Sequence, residues 1–97
     1  MKTLKAHVST PHGERYIARL CRHFSHKIPA TWEGTRGEIH FDMGTCKLEA
    51  NETALLLRAE AENGENVQTV ADVTGSHLER FAAGGREGEK LTVAWAP

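Results

Sequence analysis

The chain has 97 residues, of which 26% are charged and 39% hydrophobic, and its formal net charge is −1 with histidine neutral. This length allows a single domain, residues 1–97, with one modest core. The near-zero charge balance argues against nucleic acid as a partner, because binding it requires a basic excess or stripe. No apolar run approaches the length of a membrane span, and the first residues, MKTLK, lack the apolar segment of a signal peptide.

The first predicted strand runs from Thr3 to Ser9, where apolar and polar residues alternate as in a half-buried strand. Thr10 and Pro11 provide a helix start, with Thr10 as the N-cap and Pro11 as the first helical residue. The stretch 15–27 predicts the first helix. Its apolar residues form one stripe, and the flanking positions are rich in arginine and histidine.

Residues 28–61 predict a meander of four strands joined by short turns. Each strand has one apolar and one polar face, which is typical of an antiparallel sheet with one solvated face. Trp32 and Phe41 are expected to point inward, so the open face lacks the aromatic platforms that RNA binding uses. Leu56 and Ala94 are expected on that open face, where a homodimer interface is an alternative function.

The second helix is predicted from Val67 to Ala83, with Asn63 or Asn66 as its cap. Gly84–Gly85 is expected to end it in the left-handed conformation. Gly75 lies inside this helix, where glycine costs roughly 1 kcal/mol relative to alanine, and it therefore indicates a close packing contact.

A final strand over residues 90–96 completes the predicted order β-α-β-β-β-β-α-β. All apolar faces are buried together if two helices lie on one face of an antiparallel sheet, so the predicted fold class is an α+β two-layer sandwich. The core is predicted to contain Leu4, Val8, Ile17, Leu20, Phe24, Phe41, Leu48, Leu57, Leu78, Phe81, Val93 and Trp95.

The two cysteines, Cys21 and Cys46, fall on a buried helix face and inside a strand, with no CxxC spacing. They are interpreted as free core thiols of a cytoplasmic protein in a reducing compartment. The sequence contains neither the serine elbow of hydrolases nor a glycine-rich phosphate loop after a strand. A non-catalytic protein is therefore expected.

The candidate site combines residues of both helices. His23 and His26 stand three apart on the first helix, and His77 on the second is a possible third imidazole for zinc or iron. The alternative is that these histidines are structural and satisfy the carbonyls at a helix end. Arg80 with Arg22 offers an anion site between the helices, unless surface acids pair with both.

Three phrases, residues 16–27, 44–49 and 75–81, together with a closing 91–95, resemble a family of small bacterial proteins called domain of unknown function 2218. The resemblance covers nearly the whole chain, and the family has no established activity or cofactor. Similar domains occur near or fused to siderophore-interacting flavin reductases. The resemblance therefore implies a small binding or accessory protein linked to iron or siderophore handling, with such a reductase or a small anionic ligand as partner. The family's recurrent positions are His23, His26, His77, Glu79, Arg80 and Phe81.

Overall fold

The computed structural model describes residues 1–86 and 88–97. These residues form one antiparallel sheet with the spatial strand order β1-β5-β4-β3-β2, and two helices that pack on one of its faces. The predicted α+β two-layer class is confirmed. In chain order the elements are β1 (Lys2–Ser9), α1 (Gly13–Ser25), β2 (Ala30–Glu33), β3 (Arg36–Phe41), β4 (Gly44–Ala50), β5 (Ala54–Ala61) and α2 (Gly64–Gly84).

The two helices divide the sheet between them. The first helix, α1, covers β2, β3 and β4, whereas α2 covers β1, β5 and β4. Ile17 and Leu20 on α1 and Leu78 on α2 are completely buried against the sheet. Burying these apolar stripes is the main force that holds the two layers together. Within the described residues, neither helix is long and apolar enough to cross a membrane.

The predicted core is present, with a gradation in burial. Its aromatic members are all at the margin, because they lie near the ends of the helices, at the end of β3 and in the C-terminal segment. Fully buried are Val8, Ile17, Leu20, Leu48, Leu57 and Leu78, while Leu4, Phe24, Phe41, Phe81, Val93 and Trp95 are partly buried against the same cluster.

The predicted strand over residues 90–96 is reduced to a single bridge. Its only ladder contact within the described residues joins Lys5 and Ala96, whose backbone groups exchange hydrogen bonds of 2.7 and 2.9 Å. Before that bridge the segment is held by α2, because the Glu79 carboxylate accepts the backbone N–H of Val93 at 2.8 Å. The alternation of residues 90–96 therefore reflects packing on α2, and pairing with β1 is confined to the Lys5–Ala96 bridge.

Gly75 makes the close contact that its position predicts. A Cβ atom placed there would lie 3.1 Å from Nε1 of Trp95 and 3.4 Å from Cγ1 of Val93. The missing side chain lets the C-terminal segment lie directly on the backbone of α2. Glycine inside this helix is thus explained by packing.

Thr10 does not cap α1, in contrast to the prediction. The helix begins at Gly13, and the residue before it, His12, makes no side-chain cap. The Thr10 hydroxyl instead accepts the backbone N–H of His12 at 3.1 Å and donates to a carboxylate oxygen of Glu89 at 2.8 Å. Thr10 therefore fixes the turn before the helix and anchors the C-terminal segment.

The predicted cap of α2 is confirmed at its start and wrong at its end. The Asn63 side chain accepts the N–H of Asn66 at 2.8 Å, and the helix begins at Gly64, three residues before the predicted Val67. Gly85 ends the helix with φ −90° and ψ −174°, which is extended and not left-handed.

Trp32 is 36% exposed, although the alternation of β2 predicts it inward. It pairs in register with the buried Gly37 and thus lies on the helix side of the sheet. Since β2 is the edge strand, its outer side has no neighbouring strand among the described residues to cover the indole. A period-two pattern gives the face of a side chain but does not give the depth of its burial.

Candidate functional site

One imidazole from each helix meets its counterpart on the outer side of the helix layer. His23 lies in the last turn of α1, and its ring centroid is 5.2 Å from that of His77 on α2, with the planes tilted by 46°. The structure thus brings together two of the four predicted site residues in direct contact. Their meeting point is where the C-terminal end of α1 passes α2.

Two phenylalanines hold this pair of imidazoles in place. The edge of His23 contacts Phe24 and Phe81, each at a centroid distance of 5.2 Å. His77 lies 4.9 Å from Phe24 and 5.9 Å from Phe81. Phe24 in turn packs on Phe41 of the sheet at 5.3 Å. We call His23, Phe24, His77 and Phe81 the imidazole–phenylalanine cluster.

His77 has a defined tautomer in this arrangement. Its Nδ1 atom lies 2.7 Å from the carbonyl oxygen of Val73, one helical turn earlier. A carbonyl oxygen only accepts hydrogen bonds, so Nδ1 carries the proton that it donates. If His77 is neutral, its Nε2 atom remains as an acceptor; if it is protonated, Nε2 becomes a second donor.

Positive charge surrounds the cluster. Partial desolvation lowers the pKa of His23 below its usual value of 6.5, and the charges of His77, His26, Arg80 and Lys27 lower it further. The guanidinium carbon of Arg19 lies 4.8 Å above the ring of Phe81. Arg19, Lys27 and Arg80 form no ion pair with a described carboxylate. We call these three residues the basic rim.

The remaining sequence predictions for this surface have mixed outcomes. Arg22 makes no described contact with Arg80; its backbone carbonyl accepts the Ser25 hydroxyl at 2.8 Å. Glu79 is already engaged by the N–H of Val93, so the surface ion pairs predicted for the two arginines are not formed through it. His26 follows the last residue of α1 and has no ring contact with His23 or His77 among those described.

The predicted metal ligands His23, His26 and His77 are only partly brought together, because the ring of His26 has no described contact with either of the other two. Among residues 1–86 and 88–97, no group of three or more His, Cys, Asp or Glu side chains is placed to hold a metal ion. His23 and His77 alone provide two nitrogen ligands, whereas protein zinc sites use three or four. The rim supplies cations in place of the carboxylate that would complete such a shell.

Two rim residues escaped the sequence interpretation, although a signal for them exists. Arg19 and His23 are four residues apart on α1, and Lys27 follows four residues later in the turn after the helix, so the sequence spaces three nitrogen-bearing side chains at helical intervals. Arg80 of α2 adds a charge that acts on His23. The sequence prediction paired Arg80 with Arg22 instead, so the spacing of Arg19, His23 and Lys27 was not connected with it.

Neither cysteine has the character of a nucleophile. Burial raises the pKa of Cys21 to about 11 and that of Cys46 to about 12, and both are free thiols. A thiolate needs a depressed pKa and access to solvent for catalysis. The cysteine chemistry of this protein is therefore structural, and the chemistry of the site is confined to the imidazoles and the rim.

Comparison with known proteins gives a consistent family assignment. The family model described as an uncharacterised protein conserved in bacteria, domain of unknown function 2218, matches residues 5–96. The NMR structure of PA4090 from Pseudomonas aeruginosa is similar over 100% of this chain and 97% of that chain, with 31% identity and a TM-score of 0.82. A search of the curated proteins found no match. The chain thus belongs to the uncharacterised bacterial family of domain of unknown function 2218.

Proposed function

We infer that this protein is a small non-catalytic binding protein that holds an anionic group on the imidazole–phenylalanine cluster and its basic rim. The observation that carries this proposal is the basic rim itself. The charges of Lys27 and Arg80 act on His23, Arg19 lies over the ring of Phe81, and none of the three forms an ion pair with a described carboxylate. Gathered like charges repel one another, and a bound carboxylate or phosphate would relieve that repulsion.

The donor geometry suits an anion better than a metal ion. The Arg80 guanidinium has a planar set of donors that matches a carboxylate or phosphate, and the Lys27 ammonium adds a point charge. His23 and His77 become donors on both ring nitrogens when they are protonated. The phenylalanine faces of the cluster offer apolar contact to a ring or chain attached to the anionic group. Carboxylate and catecholate siderophores have this combined chemistry and are one class to test; a reductase partner remains a prediction.

The pH dependence of binding distinguishes an anion site from a metal site. A bound anion favours imidazolium and would raise the pKa of His23, so binding would take up a proton and strengthen as pH falls through about 6.5. A metal requires neutral imidazoles, so its affinity would weaken over the same range. Titrations with citrate and with Zn²⁺ at pH values above and below 6.5 would show opposite trends.

The decisive experiment follows backbone amide NMR signals during titration with citrate and inorganic phosphate. We expect shifts at the C-terminal end of α1 and in the third turn of α2 onward, with affinity strongly reduced in Arg80→Ala and partly kept in Arg80→Lys. Lys2→Ala removes one cation from the start of β1, outside the cluster and the basic rim, and controls for net charge. Equal affinities in wild type and Arg80→Ala would contradict the proposal, as would shifts confined to the open face of the sheet.

A further inference from the structure

No described helix covers the sheet face opposite α1 and α2, which forms a shallow concavity of about 1030 Å³. Its floor is the backbone of central positions whose side chains point into the core, such as Leu48 and Leu57. Its walls are long charged side chains. Leu56 stands among them with 37% of its surface exposed, although it is apolar. This open face lies on the side of the sheet away from the helices that carry the anion site.

Two central strands carry an alternating charge pattern on the open face. In β4, Lys47 and Glu49 are two residues apart and therefore project from the same face. In the neighbouring β3, Glu38 lies beside Lys47, and Arg36 lies beside Glu49. The four residues form a square in which each charge has the opposite sign to its neighbour along the strand and across the strands.

This pattern is self-complementary under a twofold rotation that exchanges its two rows. An axis that lies in the plane of the face, crosses the strands, and passes between the two rows exchanges the rows. Lys47 then faces Glu49 of the partner subunit, and Glu38 faces Arg36 of the partner subunit. Because the operation is symmetric, each contact occurs twice, which gives four ion pairs at the centre of the interface.

The same rotation opposes no like charges on the other strands, β1, β2 and β5. Arg58 of β5 faces the partner's Leu56, where the aliphatic part of the arginine can cover the exposed leucine. Lys5 of β1 faces His7 of the partner subunit. Thr31 of β2 faces Glu33 of the partner subunit. No strand places two acidic side chains, or two Lys or Arg side chains, opposite each other.

The alternative symmetric arrangement is disfavoured by charge. A twofold axis parallel to the strands and centred on β4 places Lys47 opposite Lys47 of the partner subunit and Glu49 opposite Glu49 of the partner subunit. Like charges in direct opposition cost stability. Both axes keep the strands of the two sheets close to alignment, as in sandwich packing, and charge disfavours the parallel axis centred on β4. A second alternative, a parallel axis between β3 and β4, places Lys47 opposite Glu38 of the partner subunit but leaves β1 uncovered. The double variant Lys47→Glu/Glu49→Lys distinguishes it, because like charges would stay opposed under that axis.

The size of the face indicates a weak association. Five strands about 4.8 Å apart and about 3.4 Å per residue along the strand give a footprint of roughly 550–600 Å² for a seven-residue central strand. Standard specific interfaces bury about 800 Å² per partner. The face therefore lies toward the small end, and its dissociation constant is expected to be micromolar or weaker.

We propose that the open sheet face is a homodimer interface in which two copies pack face to face, with Lys47 opposite Glu49 and Glu38 opposite Arg36 of the partner subunit. Leu56 lies inside this interface, which accounts for its exposure on the single chain. The charged side chains of the second copy then fill the concavity.

A charge swap within one strand tests both the dimer and its register. Sedimentation equilibrium from micromolar to millimolar concentration should show a reversible monomer–dimer equilibrium for the wild type. Lys47→Glu and Glu49→Lys each place like charges opposite each other, and each should weaken the dimer about tenfold or more. The double variant Lys47→Glu/Glu49→Lys should restore association, because the swapped charges again face opposite charges across the axis.

Controls separate association from folding. Lys47 also lies 3.5 Å from Glu60 within the chain, so the melting temperature of each variant is measured in the same buffer. If a reversal variant unfolds, the neutral variants Lys47→Gln and Glu49→Gln replace it, with a smaller loss of affinity expected. Lys2→Glu, outside the open face, should leave the dimer unchanged. A wild type that stays monomeric at millimolar concentration, or a double variant as weak as the single ones, would overturn the proposal.

Discussion

The hydroxyl of Tyr16 donates to the carboxylate of Glu89 at 2.5 Å, and thereby ties the first helix to the C-terminal segment across 73 positions of sequence. The same carboxylate accepts the hydroxyl of Thr10. Tyr16 itself is almost fully buried, with 2% of its surface exposed. Glu89 is therefore the point at which the turn before α1, the helix α1 and the chain end are joined.

Removing the Tyr16 hydroxyl should destabilise the fold. Tyr16→Phe leaves the ring in place and deletes one charge-assisted hydrogen bond, so we expect a loss of about 1–3 kcal/mol in the free energy of unfolding at neutral pH. Chemical denaturation measures it. His12→Phe, next to the same turn but without a side-chain hydrogen bond to Glu89, should change stability less. An equal loss in both variants would contradict a specific role of the hydroxyl.

The same pair predicts the response to alkaline pH. Burial raises the pKa of Tyr16 above its usual value of 10, and the hydrogen bond and charge of Glu89 raise it further. The unfolded chain loses the tyrosine proton near pH 10 while the folded chain keeps it. Stability from this group is therefore complete below pH 10 and declines as pH rises above it. Thermal unfolding of wild type from pH 8 to 11 should show this decline, and Tyr16→Phe should lack that part of it.

Leu78 should contribute far more to stability than the exposed Leu56. The Leu78 side chain has no exposed surface, whereas Leu56 retains 37%. Leu78→Ala should cost about 2–5 kcal/mol through lost burial and the cavity left behind, which is a large part of the total for a domain of this size. Leu56→Ala, measured at low micromolar concentration to favour the monomer, is the matched control and should cost much less. Similar losses in both variants would contradict the assigned core.

The pKa of His23 should be sensitive to the charges of the basic rim. Desolvation and the nearby charges of His77, His26, Arg80 and Lys27 depress it, so folding stability should decrease as pH falls below 6.5, where the unfolded chain binds the proton more readily. In an NMR titration the His23 ring should titrate below 6.5, and Arg80→Ala should move its pKa upward. An unchanged pKa in Arg80→Ala would remove Arg80 from the electrostatic environment of the imidazoles.

The periodic patterns of the sequence were sufficient to predict the two layers of the fold. They did not predict which strands pair or which element covers each segment. Alternation in residues 28–61 and the helical stripe of 15–27 define which side of each element is apolar, and that alone predicts helices on one face of a sheet. The pairing of β1 with β5 joins distant segments and has no local signature. For residues 90–96 the alternation was real, but the covering element was α2 and not a neighbouring strand.

The candidate site could likewise be predicted only in part from the sequence. His23 and His77 could be expected to meet because their helices lie in one layer, and they do. His26 keeps helical dihedrals (φ −70°, ψ −21°) at the end of α1, but its ring makes no described contact with His77, because spacing along one helix does not fix which of its positions faces the other helix. The roles of Arg19 and Lys27 depend on the position of α2 relative to α1, which is a packing property and not a property of either segment.

Both thiols should be slow to react in the folded protein and fully available in the unfolded one. Burial raises the pKa of Cys21 to about 11 and of Cys46 to about 12, so the thiolate fraction at neutral pH is very small. We expect negligible reaction with an aromatic disulfide reagent under native conditions and two reactive groups per chain in denaturant without reductant. The rate of native labelling should follow the rate of opening, so the destabilising Leu78→Ala should accelerate it. Fewer than two groups in denaturant would indicate a Cys21–Cys46 disulfide, and rapid labelling of the native wild type would contradict the burial of both side chains.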